Sequence, residues 1–142
     1  MNKQHLATSE VSVEAPAGKV WDALTHPELI EKYMMGAKVS SDWKEGSEIR
    51  WKGEFKGKPY EDKGKILALK PGKTFTYTHF SPMAGKPDAP ENYHTVSINL
   101  TEKEKSTLVS LTQDNNGSEN EKQESEKTWG MMLDALKKLV EG

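Results

Sequence analysis

Residues 129–140 read WGMMLDALKKLV, the most regular helical pattern in the chain. The apolar positions recur every three or four residues and predict a helix with one dry face. They are Trp129, Met132, Leu133, Leu136, Leu139 and Val140. Upstream, Ser118 and Glu121 have the spacing of a capping box, which predicts that this helix begins next to Ser118. A stripe of this length needs a partner surface to cover it.

The partner surface is predicted between Gly36 and about Asn116, where the hydrophobic period changes to two. The apolar positions there include Ile49, Trp51, Phe55, Phe75, Tyr77, Val96, Ile98 and Leu100. A first strand from His5 to Val13 precedes two short helices, one starting near Pro16 and one after Thr25-His26-Pro27-Glu28, which has the spacing of a capping box. The order predicts a single α+β domain over residues 1–142, in which a curved antiparallel sheet of about six or seven strands covers the last helix.

Composition excludes several functional classes. The 142 residues contain no cysteine, so we expect no disulfide, thiolate zinc site or cysteine nucleophile. No apolar run is long enough for a signal peptide or a membrane span, which favours a cytoplasmic protein. The net charge is −2, and Arg50 is the single arginine among 20 basic residues, which argues against nucleic-acid binding. Hydrophobic residues make up only 34% of the chain, so we expect a core built from few apolar side chains.

Four segments resemble one family. They are residues 20–30 (VWDALTHPELI), 41–47 (SDWKEGS), 64–67 (GKIL, leading to Pro71) and 129–138 (WGMMLDALKK). Their order resembles the START-like superfamily, also known as SRPBCC or Bet v 1-like, and within it the branch homologous to the C-terminal domain of the activator of the heat-shock protein 90 ATPase. The resemblance implies a helix-grip fold with a cavity between the sheet and the last helix.

The resemblance also implies three possible functions. Members of the superfamily bind lipids, sterols or polyketides, which suggests a small apolar or amphipathic ligand. The closer branch suggests a chaperone-related interaction module with a role in stress response, and a chaperone as partner. A third group within the superfamily consists of cyclases and hydrolases. Fold alone does not choose among them.

Two histidines are candidate polar contacts for a ligand. If residues 81–92 form a hairpin loop, His79 lies opposite His94, because this register also pairs Tyr77 with Val96 and Phe75 with Ile98. Both imidazoles are then expected on the inner face, near the end of the sheet. They either stay hydrogen-bonded at the cavity rim, which is the reading we favour, or orient a ligand. Two ligands alone do not make a metal site, so no metal and no cofactor are predicted.

The remaining candidates are aromatic and aliphatic. The predicted cavity residues are Trp51, Tyr77, His79, His94, Trp129, Met132 and Leu136, and the predicted mouth is Tyr33, Met34 and Met35. Core packing also explains the aromatic residues of the cavity and Met132, each taken singly. In a helix-grip fold, however, some of them must line any cavity that exists. For the three mouth residues the alternative is a surface patch that packs on a partner.

The outer face of the sheet is predicted to be charged and solvated. It would carry Arg50, Lys52, Lys56, Lys58, Lys63 and Lys65, interrupted by Glu54, Glu61 and Asp62. Such a face discourages edge pairing, and an acidic partner surface is the alternative interpretation. The chain has no nucleophile elbow, Walker loop or dinucleotide motif, so no catalytic set is predicted and binding is favoured over catalysis. We expect a monomer or a weak homodimer.

Overall fold

The long C-terminal helix packs on one face of a curved, seven-stranded antiparallel sheet in the computed structural model of the chain. The structure describes residues 5–34, 36–82 and 85–142. The strands in these ranges are β1 (Ala7–Val13), β2 (Lys38–Ser41), β3 (Glu48–Phe55), β4 (Lys58–Lys70), β5 (Thr74–His79), β6 (His94–Lys103) and β7 (Ser106–Gln113). The helices are α1 (Ala17–Thr25), α2 (Pro27–Tyr33) and α3 (Glu119–Glu141). The predicted α+β helix-grip architecture is confirmed.

The sheet order is β1-β7-β6-β5-β4-β3-β2, so every connection from β2 to β7 joins neighbouring strands. The predicted register between β5 and β6 is confirmed, because His79 pairs with His94 and Tyr77 pairs with Val96. A one-residue slip would have turned the apolar side chains of one strand to the solvent. This register places both histidines on the inner face of the sheet.

The core lies under the second half of α3. Leu133, Leu136 and Val140 are buried there against the inner face of the sheet. Burying each of these side chains contributes roughly 1.5–3 kcal/mol. The first half of α3 is rich in glutamate and contains none of the buried residues of this helix. The space between that half and the sheet is therefore not filled by the core.

The ends of the helices test the two predicted capping boxes. Ser118 is the N-cap of α3, and its Oγ accepts a 3.2 Å hydrogen bond from the backbone N–H of Glu121, which confirms the predicted cap. The returning bond of the Glu121 carboxylate goes to the backbone N–H of Gly117 rather than to that of Ser118. The second box is wrong. Helix α1 continues through Thr25, whose Oγ1 donates a 2.9 Å hydrogen bond to the carbonyl oxygen of Trp21 in the preceding turn. His26 is therefore the N-cap of α2, and its side chain forms no capping bond. Among the described helices, none is long and apolar enough to cross a membrane.

Candidate functional site

A cavity of about 460 Å³ lies between the first half of α3 and the inner face of the sheet. Pockets for small molecules are typically about 300–1,000 Å³. Strands β3 to β7 form one wall, and α3 forms the other. Met34 and Ala37, in the segment between α2 and β2, and Asn116, between β7 and α3, complete the lining.

Most of the residues predicted for the cavity lie around it together. Those that line it are Trp51, Tyr77, His79, His94, Trp129 and Met132. Leu136 does not, because it is fully buried one turn further along α3, beside a second void of only about 30 Å³. Of the predicted mouth, Met34 lines the large cavity, Tyr33 lines the small void, and Met35 lies outside the described residues.

The apolar wall is built from rings that contact one another. The ring centroid of Trp51 lies 5.2 Å from that of Tyr77 and 5.1 Å from that of His79, the latter edge to face. Burial raises the pKa of the Tyr77 phenol well above its ordinary value, so the ring stays uncharged at neutral pH. These rings offer a ligand a rigid, largely apolar surface.

The polar end of the cavity is formed by the two histidines and their partners. His79 Nε2 lies 2.9 Å from Oδ2 of Asp62, and His94 Nδ1 lies 2.9 Å from the carbonyl oxygen of Asp114. Because a carbonyl can only accept, His94 donates through Nδ1; His79 likewise donates to the carboxylate through Nε2. When such a ring is neutral, its other nitrogen is an acceptor. The two imidazoles are stacked, with centroids 6.5 Å apart.

Asp62 corrects the prediction for the outer face of the sheet. It pairs with Trp51 across β3 and β4, so it shares the inner face with the tryptophan, while its neighbour Glu61 points outward and bonds Arg50. The alternation of β4 was itself a signal for this placement, because adjacent residues of a strand face opposite sides. Oδ1 of Asp62 is buried and has no hydrogen-bond partner among the described residues.

A buried polar network was missed by the sequence analysis. Gln113 accepts a 2.6 Å hydrogen bond from Nε1 of Trp129 and donates a 3.0 Å hydrogen bond to Oγ of Ser125. Asn116 joins the network through Gln113 and Ser125. Gln113 lies at the end of an alternating strand, at an inner position normally occupied by an apolar residue, so hydrophobicity alone gave no signal for it.

Other missed residues lie on the first half of α3. Glu121, Ser125 and Thr128 line the cavity, and Met132 follows one turn later. They are spaced four, three and four residues apart, so they lie on the same face of α3 as the apolar residues of its second half. This helical periodicity was the signal that could have identified them as lining residues. Asn120 and Glu124, beside them on the helix, and Tyr60, from β4, also line the cavity.

The outer face of β3 and β4 is charged but largely neutralised. Arg50 bonds Glu48 at 2.8 Å and Glu61 at 2.7 Å, and Lys63 forms an ion pair with Asp88 in the β5–β6 loop. Tyr93 also donates a 2.7 Å hydrogen bond to Asp88. These contacts tie Asp88, in the described part of the loop, to Lys63 of β4 and to Tyr93.

Two arrangements typical of enzymes, an activated hydroxyl and a metal site, are not found among the described residues. In the described part of the chain, neither His79 nor His94 is hydrogen-bonded to a serine or threonine hydroxyl that could act as a nucleophile. No group of three or more histidine, aspartate or glutamate side chains within those residues is arranged to hold a metal ion. The arrangement combines apolar ring walls with a polar end that accepts hydrogen bonds.

Comparisons with known proteins agree with this architecture. The family model described as "Activator of Hsp90 ATPase homolog 1-like protein" matches residues 14–141. None of the curated proteins matches the chain. The solution structure of ChR145 from Cytophaga hutchinsonii is 53% identical, with a TM-score of 0.87, and the alignment covers 99% of this chain and 97% of that one.

Two further solved structures are similar at greater distance. CalU16 from Micromonospora echinospora is 26% identical, with a TM-score of 0.70, over 92% of this chain and 73% of that one. The Aha1 dimer from Colwellia psychrerythraea is 24% identical, with a TM-score of 0.74, over 96% of each chain. At that identity the likeness concerns the fold alone.

Proposed function

Because the chain belongs to the Activator of Hsp90 ATPase homolog 1-like family, with its helix-grip fold, we propose that it binds a small amphipathic molecule between the sheet and α3. The cavity of about 460 Å³ under the first half of α3 carries this proposal. Its rings would bury the apolar body of the ligand, at roughly 25 cal/mol for each Å² removed from water. His79 and His94 would orient the polar group.

The experiment that tests this proposal uses an uncharged fluorescent probe. N-phenylnaphthylamine becomes strongly emissive when it leaves water, so a saturable rise in emission would support binding in the cavity. The blocking variant is Met132→Trp, because Met132 lines the cavity and a larger ring there occupies its volume. The matched control is Met131→Trp, on the same helix, where the native side chain is 68% exposed.

The two variants make the outcome specific. We expect Met132→Trp to weaken probe binding at least about tenfold, which corresponds to about 1.4 kcal/mol, and Met131→Trp to leave it unchanged. Circular dichroism establishes that both variants are folded. No saturable emission from the unmodified protein, or equal loss in the two variants, would contradict the proposal.

A second candidate function is a protein-interaction module that stimulates a chaperone ATPase. The family description supports it. The contact surface would be the outer face of β3 and β4, where Lys52 and Lys65 are exposed. We would measure the ATPase rate of purified Hsp90 with the unmodified chain and with the double variant Lys52→Glu, Lys65→Glu. Stimulation that the double variant loses would favour this function; a rate unchanged by the chain would exclude it.

The oligomeric state that we propose is a monomer or a weak homodimer. The dimeric structure from Colwellia psychrerythraea is the observation that suggests a dimer as a possibility to test. Sedimentation velocity over a range of protein concentrations measures the state directly. A mass of two chains that persists on dilution would replace this proposal with a stable dimer.

A further inference from the structure

We propose that the cavity selects ligands that carry an amine or another cationic group, and that it discriminates against carboxylates. This inference rests on the proposed binding function and specifies the class of ligand. It is argued from the charges that line the cavity, from its hydrogen-bonding groups and from its aromatic walls.

The charges of the lining are predominantly negative. Asp62, Glu121 and Glu124 contribute three carboxylates, and no lysine or arginine lines the cavity within the described ranges. Even if His79 and His94 were both protonated, the carboxylates would outnumber the positive groups. A cation therefore gains Coulomb energy on entering, and an anion loses it.

Asp62 supplies the negative charge deepest in the lining. Its side chain is only 15% exposed, and only Oδ2 has a partner, His79. The buried Oδ1 receives no hydrogen bond from the described residues. A carboxylate in a low-dielectric site with one unpartnered oxygen is incompletely compensated, and a cation nearby would supply the missing opposite charge.

The hydrogen-bonding groups at this end also favour a donor. His79 and His94 use one ring nitrogen each for Asp62 and for the carbonyl of Asp114. When either ring is neutral, its remaining nitrogen is an acceptor. An ammonium group can donate N–H hydrogen bonds to these ring nitrogens. A carboxylate can only accept, so its oxygens would face the nitrogen lone pairs without forming a hydrogen bond.

The aromatic walls attract a cation rather than merely tolerating it. Trp51, Tyr77 and Trp129 all line the cavity, and Trp51 lies within 5.2 Å of Tyr77, centroid to centroid. The faces of such rings carry partial negative charge, and a cation over them is stabilised, most strongly by tryptophan. The lining carboxylates, the histidine acceptors and the aromatic faces therefore all favour a cationic ligand.

The N-terminus of α3 lies beside the cavity and would by itself favour an anion. That preference is already met by the chain. Ser118 accepts from the backbone N–H of Glu121, the Glu121 carboxylate accepts from that of Gly117, and Glu119 adds a further carboxylate in the first turn. Lys86 lies in an adjoining depression together with Glu91 and Glu121, so acidic groups accompany its charge as well.

The experiment compares three ligands that share an indole body and differ in one group: tryptamine, tryptophol and indolepropionate. Each is titrated as a competitor of N-phenylnaphthylamine at neutral pH and low ionic strength. We expect tryptamine to bind at least about tenfold more tightly than indolepropionate, with tryptophol between them. Since the dye is uncharged, failure of the dye to bind contradicts the proposed function, whereas dye binding without amine preference contradicts only this inference.

Matched variants then localise the selectivity. Asp62→Asn removes the inner carboxylate, and Glu61→Gln removes its outward-facing neighbour with the same change in net charge. We expect Asp62→Asn to reduce the ratio of tryptamine to indolepropionate affinity about three- to tenfold, and Glu61→Gln to leave it within about twofold. Glu124→Gln, at an exposed helix position where folding is not at risk, should lower the ratio in the same direction.

The overturning results are specific. Equal displacement by the three indoles, preference for the carboxylate, or displacement by none of them while the dye binds would each refute the inference. An equal change of the ratio in Asp62→Asn and Glu61→Gln would also refute it, because the selectivity would then reflect net charge rather than the cavity.

Discussion

Trp129 donates a 2.6 Å hydrogen bond from Nε1 to Oε1 of Gln113, and this contact joins α3 to the end of β7 at the cavity wall. The amide nitrogen of Gln113 donates in turn to Asn116 and Ser125. Both ends of the amide are therefore engaged, which fixes its orientation and that of the indole. The position of the cavity wall depends on a buried polar residue rather than on apolar packing alone.

Replacing Gln113 by methionine should destabilise the protein by about 1–3 kcal/mol, because it leaves the indole N–H and two side-chain oxygens without this partner. Urea unfolding followed by circular dichroism measures the loss. Gln123→Met is the control, since it is the same change at an exposed position of α3. Equal free energies of unfolding in the two variants would show that the network contributes nothing.

Gly64 marks a close approach between β4 and β5. A Cβ at this position would lie 1.7 Å from the carbonyl oxygen of Thr78, next to His79 in the chain. Gly64→Ala should therefore cost about 2 kcal/mol or more, since backbone must move to relieve the overlap. Thermal unfolding measures the effect.

The matched control for this substitution is Gly18→Ala. Gly18 lies in α1, and a Cβ there meets no atom within 4 Å. Alanine is the better helix former, so the control should stabilise the protein by roughly 0.5–1 kcal/mol. A stable Gly64→Ala protein with an unchanged unfolding temperature would contradict the close approach.

Tyr77 should make stability fall at alkaline pH. Burial raises the pKa of its phenol in the folded state, so the folded protein retains a proton that the unfolded chain releases above about pH 10. Its contribution to stability is thus complete below that pH and is lost as the pH rises towards the folded pKa. Urea unfolding between neutral pH and pH above about 10 measures the slope.

The control for the pH dependence is Tyr77→Phe, which removes the titrating group but keeps the ring. The slope of stability against pH should become shallower in this variant. It should not vanish, because burial also raises the pKa of Tyr33. An identical slope in the two proteins would show that Tyr77 does not contribute.

Alanine substitutions at Leu136 and Met132 should affect stability and ligand binding differently. Leu136 is fully buried, so Leu136→Ala should cost about 2–5 kcal/mol. Met132 is only half-buried and lines the large cavity, so Met132→Ala should cost less and should change the affinity for N-phenylnaphthylamine. Unfolding and probe titration on both variants check this. A larger loss of stability in Met132→Ala than in Leu136→Ala would contradict the assignment of Leu136 to the core and Met132 to the cavity.

Much of the fold follows from periodicity. The change from period two to a helical period at Ser118 predicts the sheet and its covering helix, and the shared parity of His79 and His94 predicts their register. The error at Thr25 has a local cause. A hydroxyl at the end of one helix and the start of the next has two possible partners, and sequence spacing does not choose between them.

The aromatic wall and the two histidines of the site were predictable from sequence, but their polar neighbours Asp62 and Gln113 were not. Trp51, Tyr77 and Trp129 follow the hydrophobic pattern, whereas Asp62 and Gln113 are polar residues on an inner face and contradict it. A buried polar side chain needs a hydrogen-bond partner, and here the partners come from other elements. Asp62 bonds His79, and Gln113 bonds Trp129. Such pairings depend on tertiary contacts, which local pattern does not contain.

The most direct measurement of the central claim is a proton–nitrogen correlation spectrum of the four tryptophan indole N–H groups during titration with N-phenylnaphthylamine. Trp51 and Trp129 line the large cavity, whereas Trp21 and Trp43 pack around Phe75 outside its lining, with ring centroids 6.3 Å and 6.0 Å from that of Phe75. Ligand binding in the cavity predicts saturable shifts of the Trp51 and Trp129 signals and small shifts of the other two. Four signals that stay in place, or that move equally, would contradict the account.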